Sequence, residues 1–518
     1  MTAVSPDIEA PVQAEPAPAA KWWHFPAATW TAVVLVLAWF AVTLARFIGE
    51  APDLDSLIGF RGSALIYRDG FEGLVKGING EGVHPPVMDL VNFAGFAIFG
   101  PDPGSIQLMS IPLFVLFAIG VERVLARYIP DARKRVPAVL AVTICPAVAL
   151  PLYSVWREAL MSVVLVIALA LALRGRTRPA GLVLALLPLI KETGIVFVLP
   201  FALDAALTGS RLWRERALRA AQLLVPALAA MALWRLLREI ANSPSWQTWV
   251  FSEHAEDGPY VVALRAMFGF EDGVYIRQNL ANAFIVNYLW LPTLLALVTL
   301  VLVWRKRAGA RPFALIAGLI GIYAWTTLTY PTFTEPRYAT PVIVLTLLAV
   351  FIGLRLWPRR AQVAIIAALL AVFVAGAWYP TDPVSRAIWG TTSVGGELIY
   401  DTPERQRGPD RMNINFATLN ASVRMNERLR RIYASGATLV VGDCNAMKFG
   451  EKLAAVGDLR SWFDRGIPGA RPLRCVFPDD APPDAANGPE KVALVRTPEE
   501  DASGQPPALT GPSVVVIH

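Results

Sequence analysis

Between Thr29 and Trp378 the chain returns repeatedly to unbroken apolar stretches. Each runs about 16 to 22 residues, the length that crosses a hydrocarbon core of about 30 Å at 1.5 Å rise per residue. A soluble helix is apolar on one stripe only, whereas these stretches are apolar all round. In lipid the backbone N–H and C=O groups of a spanning segment must be satisfied within it, which dictates helices. Composition agrees: 55% of residues are hydrophobic and 17% charged, against about 25% charged in soluble domains. The expected fold is an all-α polytopic membrane protein of about 11 transmembrane helices. Outer juxtamembrane helices and a small C-terminal α/β soluble domain complete it.

The net charge of +6 raises nucleic acid as a partner, but its distribution excludes it. Basic residues gather in five short clusters between apolar stretches: Arg123 to Arg135, Arg174 to Arg178, Arg211 to Arg219, Arg305 to Arg311, and Arg355 to Arg360. Cytoplasmic loops collect positive charge in this way, and no polybasic arm with interleaved aromatics occurs. With every cluster inside, the first span (about Thr29 to Leu44) runs outward and leaves residues 46–104 outside. Both long outer loops then carry more acids than bases. The localisation that follows is the cytoplasmic membrane, multi-pass, with the N-terminus cytoplasmic and the C-terminal domain periplasmic or extracellular.

One stretch resists a single crossing. Gly181 to Leu207 is flanked by basic clusters on both sides and carries Lys191-Glu192-Thr193-Gly194 at its centre. Charges at mid-span are costly in lipid. Two short helices meeting at a polar turn near the outer surface remove both difficulties. The apolar run from Pro86 to Gly100 is too short to cross and reads as a helix lying on the outer surface.

Residues 1–26, rich in Ala and Pro and ending in Lys21-Trp22-Trp23-His24, read as a disordered cytoplasmic tail with an interfacial aromatic anchor. They lack the basic n-region of a cleaved signal peptide. Residues 27–380 form the membrane domain and 381–518 the outer C-terminal domain. In that domain Ala437 to Gly442, Lys491 to Arg496 and Ser513 to Ile517 read as strands, and Arg424 to Tyr433 and Lys448 to Val456 as helices. Cys145 reads as a core residue, while Cys444 and Cys475 share the outer tail, where a disulfide is open to them. Four scattered histidines and no Cys-x-x-Cys pair give no zinc signature.

Four polar groups fall on one membrane face. Asp53-Leu54-Asp55 follows the first span, where a carboxylate can act as general base toward a hydroxyl or amine; the plain alternative is a solvated acidic loop. His84, in His84-Pro85-Pro86, reads as an anion-binding group or as an ordinary interfacial residue. Lys191 sits at a helix break beside freed backbone N–H groups, a setting for phosphate; the alternative is an internal pair with Glu192. Glu335 with Arg337, and Trp156-Arg157-Glu158, supply the other two groups.

Taken in order these elements resemble the GT-C class of membrane glycosyltransferases, and most closely the protein O-mannosyltransferase and aminoarabinose transferase branch (glycosyltransferase family 39/83-like). Asp53-Leu54-Asp55, His84-Pro85-Pro86 and Phe99-Gly100 are similar to the first outer loop of that branch. Trp156-Arg157-Glu158-Ala159-Leu160 resembles the acidic start of a later span. Lys191-Glu192-Thr193-Gly194 resembles a Lys-x-Thr-Gly element, and Glu335-Pro336-Arg337-Tyr338 with Pro341 an Arg-Tyr-x-x-Pro element. The likeness covers roughly residues 30 to 355. One departure stands out: the usual Asp-Glu pair is Asp55-Ser56 here.

The resemblance implies a GT-C-like bundle whose residues 46–104 form the outer catalytic loop. It implies transfer of a hexose or pentose, with inversion, from a polyprenyl-phosphate donor to a lipid, glycan or protein acceptor on the outer face. Asp55 would be the general base, with Asp53 the alternative; His84, Lys191 and Arg337 would hold the donor phosphate, with Glu192, Tyr338, Glu335, Arg157 and Glu158 lining the substrates. No cofactor is required. Because Asp-x-Asp also resembles the metal-binding acids of the oligosaccharyltransferase branch, a divalent cation remains open. Two other readings stand beside the enzyme: a transporter or flippase of a lipid-linked substrate, and a non-catalytic assembly subunit.

Overall fold

The computed structural model describes residues 25–48, 54–81, 85–100, 103–208, 212–241, 273–306, 310–328, 336–379, 381–394 and 397–400, with strands at 438–441, 492–495 and 514–517. The helices in chain order are α1 (Ala27–Thr43), α2 (Leu54–Asp69), α3 (Phe71–Glu81), α4 (Val87–Phe99), α5 (Pro103–Leu125), α6 (Ala132–Ile144), α7 (Pro146–Tyr153), α8 (Arg157–Ala172), α9 (Thr177–Leu184), α10 (Leu187–Ile190), α11 (Val198–Leu207) and α12 (Trp213–Ile240). After these come α13 (Gly273–Phe284), α14 (Trp290–Arg305), α15 (Arg311–Leu328), α16 (Thr340–Ile352), α17 (Arg359–Trp378) and α18 (Pro383–Trp389).

Four of these helices are long and apolar enough to cross a bilayer on their own: α5, α12, α17, and α16 with its flanking 3-10 turns. The pair α6–α7 is long and apolar enough only when taken together, and it is bent by 64°. Sequence pattern alone reads that pair as one straight span. Pro146 explains the bend, since it lacks an N–H and pushes the preceding residue toward extended backbone; Cys145 adopts φ −50°, ψ 122°. Helices α8 and α16 occupy the centre, with almost every side chain buried. At the periphery α12 and α17 expose Leu218, Val225, Leu228, Leu236, Val363 and Val374. An apolar periphery of this extent is foreign to soluble monomers and natural against lipid. The chain has a multi-pass membrane architecture.

Four of the five basic clusters meet at one end of the bundle. Arg174 Nη2 donates to Arg123 O at 2.7 Å, and Arg127 Nη1 to Leu173 O at 2.5 Å, tying the ends of α5 and α8 together. Arg355 stacks over Tyr128, and Arg311 forms a two-pronged pair with Asp204 at 3.0 and 2.9 Å. The clustering read from sequence is therefore a spatial fact.

The Gly181 to Leu207 stretch is broken as its charges require. Helix α10 ends at Lys191, which is extended at φ −154°, ψ 136°, and a 3-10 helix Glu192–Phe197 leads into α11. Gly194 makes the close return possible: a Cβ there would lie 2.5 Å from Leu187 O. The stretch expected from Ala283 to Trp304 also divides, because Asn287 and Tyr288 are left-handed at φ 58° and 67°. Asp382 holds that turn by accepting the Tyr288 N–H at 3.2 Å, while also capping α18 through Ser385 N.

In the tail, β1 (Thr391–Val394) and β2 (Glu397–Tyr400) pair antiparallel. The strands β3 (Thr438–Val441), β4 (Val492–Val495) and β5 (Val514–Ile517) pair in parallel in that order, at the three places where strands were expected. The helices that would make this sheet α/β, and Cys444 and Cys475, lie outside the described residues. Cys145 is buried.

Candidate functional site

The end of the bundle opposite the basic clusters gathers charge in a different way. Three unrelated pieces of chain deliver it: the start of α8, the break at Lys191, and the 3-10 turn Pro336–Ala339 that leads into α16. Each piece is fixed locally. Val155, β-branched and fully buried, is left-handed at φ 53°. That conformation costs an L residue energy and marks sites where the surroundings impose it. Here it turns the chain sharply from α7 so that Trp156-Arg157-Glu158 opens α8. The turn before α16 is pinned by Thr340, whose hydroxyl approaches Arg337 O at 2.7 Å and Ala147 O at 3.3 Å.

Lys191 Nζ donates to Glu158 Oε1 at 2.6 Å, and both side chains are 5% exposed. The same ammonium lies 4.2 Å from the centre of the Tyr338 ring. Arg337 stacks against Trp156 at 5.3 Å and Tyr338 at 4.9 Å, and its Nη2 reaches the Tyr338 hydroxyl at 3.2 Å. Tyr323, fully buried and stacked on Phe197 at 4.6 Å, lies within electrostatic reach of Glu158 and Tyr338. Aromatic faces and one carboxylate thus enclose the two cations.

Of the residues singled out in the sequence, the structure brings Glu158, Lys191, Arg337 and Tyr338 together, while Arg157 precedes Glu158 in the first turn of α8. Glu192 is not among them: it accepts from Trp234 Nε1 at 3.0 Å, on the side facing α12. The partner of Lys191 is thus Glu158, thirty-three positions away, and not the adjacent acid. Asp55 lies in the first turn of α2. Asp53, His84 and Glu335 are outside the described residues. Among the described residues no group of three or more His, Cys, Asp or Glu side chains has the arrangement of a metal site.

Two further residues stand out, Thr193 within the Lys191-to-Gly194 element and Asp89, which no motif marked. Thr193 Oγ1 is buried without a hydrogen-bond partner in the turn after Lys191. Asp89, on α4, is half-buried, and its carboxyl packs on the backbone of Gly62 in α2, where a Cβ would come within 2.5 Å of it. Ser63 reinforces the junction by donating to Asp89 O at 3.0 Å. Burial pushes the Asp89 carboxyl up to about 7, although Arg157 opposes the shift. An apolar, juxtamembrane helix conceals such a residue in the sequence; only its isolation, as the sole ionisable group of α4, hinted at a role.

The sequence matches no family model and no curated protein. Solved structures do share its architecture. ArnT from Cupriavidus metallidurans bound to undecaprenyl phosphate superimposes with a TM-score of 0.52 at 15% identity, over 87% of this chain and 86% of that one. The same protein in the apo state gives 0.50 at 15% identity, over 86% and 85%. At that identity the likeness establishes the fold: the GT-C-like membrane architecture that the motif order implied is the architecture of this chain.

Proposed function

We propose that this chain is a membrane glycosyltransferase of the GT-C type, moving a sugar from a polyprenyl-phosphate donor to an acceptor at the outer face. One observation carries the proposal: the Glu158–Lys191 and Arg337–Tyr338 cluster sits at a helix break in a fold shared with an undecaprenyl-phosphate-bound ArnT. The basic end is then cytoplasmic, which puts the N-terminus inside, the cluster at the outer surface and residues 381–518 outside. The crossings number about eleven when the broken stretch is taken as two.

In this reading Asp55, with Asp53 the alternative, removes a proton from the acceptor hydroxyl or amine. The freed nucleophile bonds to the anomeric carbon from the face opposite the phosphate, and the bond from that carbon to the phosphate oxygen breaks with its electrons. The products are an inverted glycoside and a polyprenyl phosphate. His84, Lys191 and Arg337 hold the phosphate, Glu158 and Arg157 line the acceptor side, and Tyr338 encloses the cations. Lys191 is engaged by Glu158 here, so a donor phosphate shares the ammonium with that carboxylate. The reaction so written needs no cofactor, and the Asp53–Asp55 element leaves a divalent cation as an additional ligand to test.

The test is direct. Purified protein is incubated with polyprenyl-phosphate sugars and a membrane extract, and labelled product is followed. Asp55→Ala is expected to reduce transfer about 10²- to 10⁴-fold, the ordinary contribution of a general base, and Asp53→Ala less. Absence of transfer, or full activity in both variants, sinks the mechanism. Donor movement across vesicles without transfer would instead identify a flippase.

A further inference from the structure

The break at Lys191 is held from outside as well as from within. Its own hydrogen bonds are short-range: the Lys191 N–H donates to Leu187 O at 3.1 Å and the Gly194 N–H to Lys191 O at 2.8 Å. A 3-10 turn has poorer hydrogen-bond geometry than an α-helix, so neighbouring segments decide how firmly this one is placed. Leu189, two residues before the lysine, packs against a buried cluster formed by Ile78 of α3 with Trp234 and Ala241 at the end of α12. Glu192, one residue after it, accepts the Trp234 indole N–H at 3.0 Å. The chain is thereby gripped on both sides of Lys191, and Trp234, 2% exposed, takes part in both grips.

On its other side the cluster belongs to the outer loop. Leu74 and Val75 of α3 pack against it beside Ile78. Helix α3 is in turn seated on α2 backbone to backbone. A Cβ on Gly73 would collide with Leu65 O, and one on Gly77 would lie 3.8 Å from the Gly62 Cα. Contacts this close leave α3 no room to slide on α2, so the two helices move as one hairpin. Asp55 lies in the first turn of that hairpin.

We propose that Trp234 is a positioning residue that couples the seating of the α2–α3 hairpin to the Lys191 turn, so that the helix bearing Asp55 and the ammonium that meets the donor phosphate are set together. The inference rests on the phosphate reading of Lys191. Trp234 acts here through Glu192 and the α3 cluster, not on a substrate. Its residue type matters. A leucine or phenylalanine would also fill an apolar cluster, whereas an indole adds one directed N–H, and this N–H meets the carboxylate next to Lys191. Withdrawing α3 would uncover the apolar side of the indole. Shifting the indole would take its donor from the half-buried Glu192 carboxylate, which is costly for a group partly removed from water. The two movements are therefore linked.

Hydrogen–deuterium exchange on the full-length protein in lipid nanodiscs reads this link without needing turnover. Trp234→Phe should speed exchange of the Glu192–Phe197 amides about tenfold, the scale of one lost hydrogen bond. Ile78→Ala, on the hairpin, should speed the same amides. Glu192→Gln keeps an acceptor for the indole and should match wild type. Glu192→Leu should match Trp234→Phe, and combining those two should add nothing further. Leu369→Ala, in the core contributed by α17, controls for general loosening: it should lower the unfolding midpoint and leave the Glu192–Phe197 amides unchanged. Titration with undecaprenyl phosphate supplies the functional readout. Trp234→Phe and Ile78→Ala should each weaken binding about fivefold, the low end of ordinary site–site coupling, and Leu369→Ala should not. Turn amides that ignore Ile78→Ala, or that respond equally to Leu369→Ala, overturn the proposal, as does equal lipid affinity in all variants. If the exchange pattern appears but undecaprenyl phosphate does not bind wild type, the donor-site reading is refuted while the link between hairpin and turn stands.

Discussion

Two buried ion pairs occupy opposite ends of the bundle, and they differ in what surrounds them. At the basic end Arg135 Nε lies 3.0 Å from Glu122 Oε1, with the carboxylate wholly buried. Its partners are local: Arg135 also donates to Ile129 O and Pro130 O, which closes the turn between α5 and α6. At the other end Glu158 and Lys191 come from distant segments, and surplus cations and aromatic rings crowd the pair. The first pair is tied to its own backbone turn, with the basic side chains of neighbouring loops around it. The second joins segments far apart in the chain, beside a strained Val155 and a broken helix. A pair that closes a local turn reads as scaffold, whereas one that draws distant segments together at a helix break reads as a place for a ligand.

The sharpest break of this comparison is stability. Removing one partner from a buried pair strands the other charge and costs about 3–5 kcal/mol. Glu122→Ala and Glu158→Ala should therefore destabilise alike, measured as unfolding midpoints in mixed micelles. The two ends part company when both charges of a pair are removed. Glu122→Leu with Arg135→Met should recover most of the loss and keep sugar transfer within about twofold, as buried pairs exchanged for apolar residues often do. Glu158→Leu with Lys191→Met should recover stability too, yet lower transfer by about a hundredfold, the scale of a lost electrostatic contact in a reacting site. Equal activity in the two double variants would erase the distinction.

How much of this was legible beforehand differs along the same line. The crossings and the clustering of basic loops follow from hydropathy and charge, which act over whole segments and survive any detail of packing. The break at Lys191 was visible because two charges at mid-span leave the chain no straight alternative. The bend at Cys145–Pro146 and the left-handed Asn287–Tyr288 turn were not anticipated, since both depend on one residue overriding an apolar pattern. At the site, motif order pointed to Glu158, Lys191 and Arg337, but nothing in the spacing said that Lys191 would choose Glu158 over its neighbour Glu192. Asp89 was invisible for the opposite reason: its meaning lies in what packs on it.

Glu192 offers an intermediate test. Its link to the indole of Trp234 joins the 3-10 turn to α12, and Trp234 also packs on Ile78, Leu74 and Leu189. Trp234→Phe keeps much of that apolar contact and removes the donor. Leaving the carboxylate without it should cost about 1–3 kcal/mol, with transfer reduced only as far as the Lys191 turn loosens. A loss of activity matching the Glu158–Lys191 double variant would instead place Glu192 inside the site.

The smallest effect belongs to a third charge cluster, which has neither pair's burial. Asp69 at the end of α2 meets Arg68 at 2.8 Å and Lys76 at 3.2 Å, and Lys76 also reaches Glu72. The Arg68 hydrogen bonds are the main cause that holds the Asp69 carboxyl down to about 2. A lowered carboxyl contributes stability that is complete above its ordinary value of 3.8 and lost as the pH falls through about 2. The cluster is open to water, so salt screens it and the geometry is held at an entropic cost. Asp69→Asn should therefore leave the unfolding midpoint unchanged at neutral pH in moderate salt, and differ from wild type only at low ionic strength. A clear loss at neutral pH and moderate salt would mean that α2 and α3 depend on this surface link. In that case the junction that holds Asp89 against Gly62 would be tuned from outside the site.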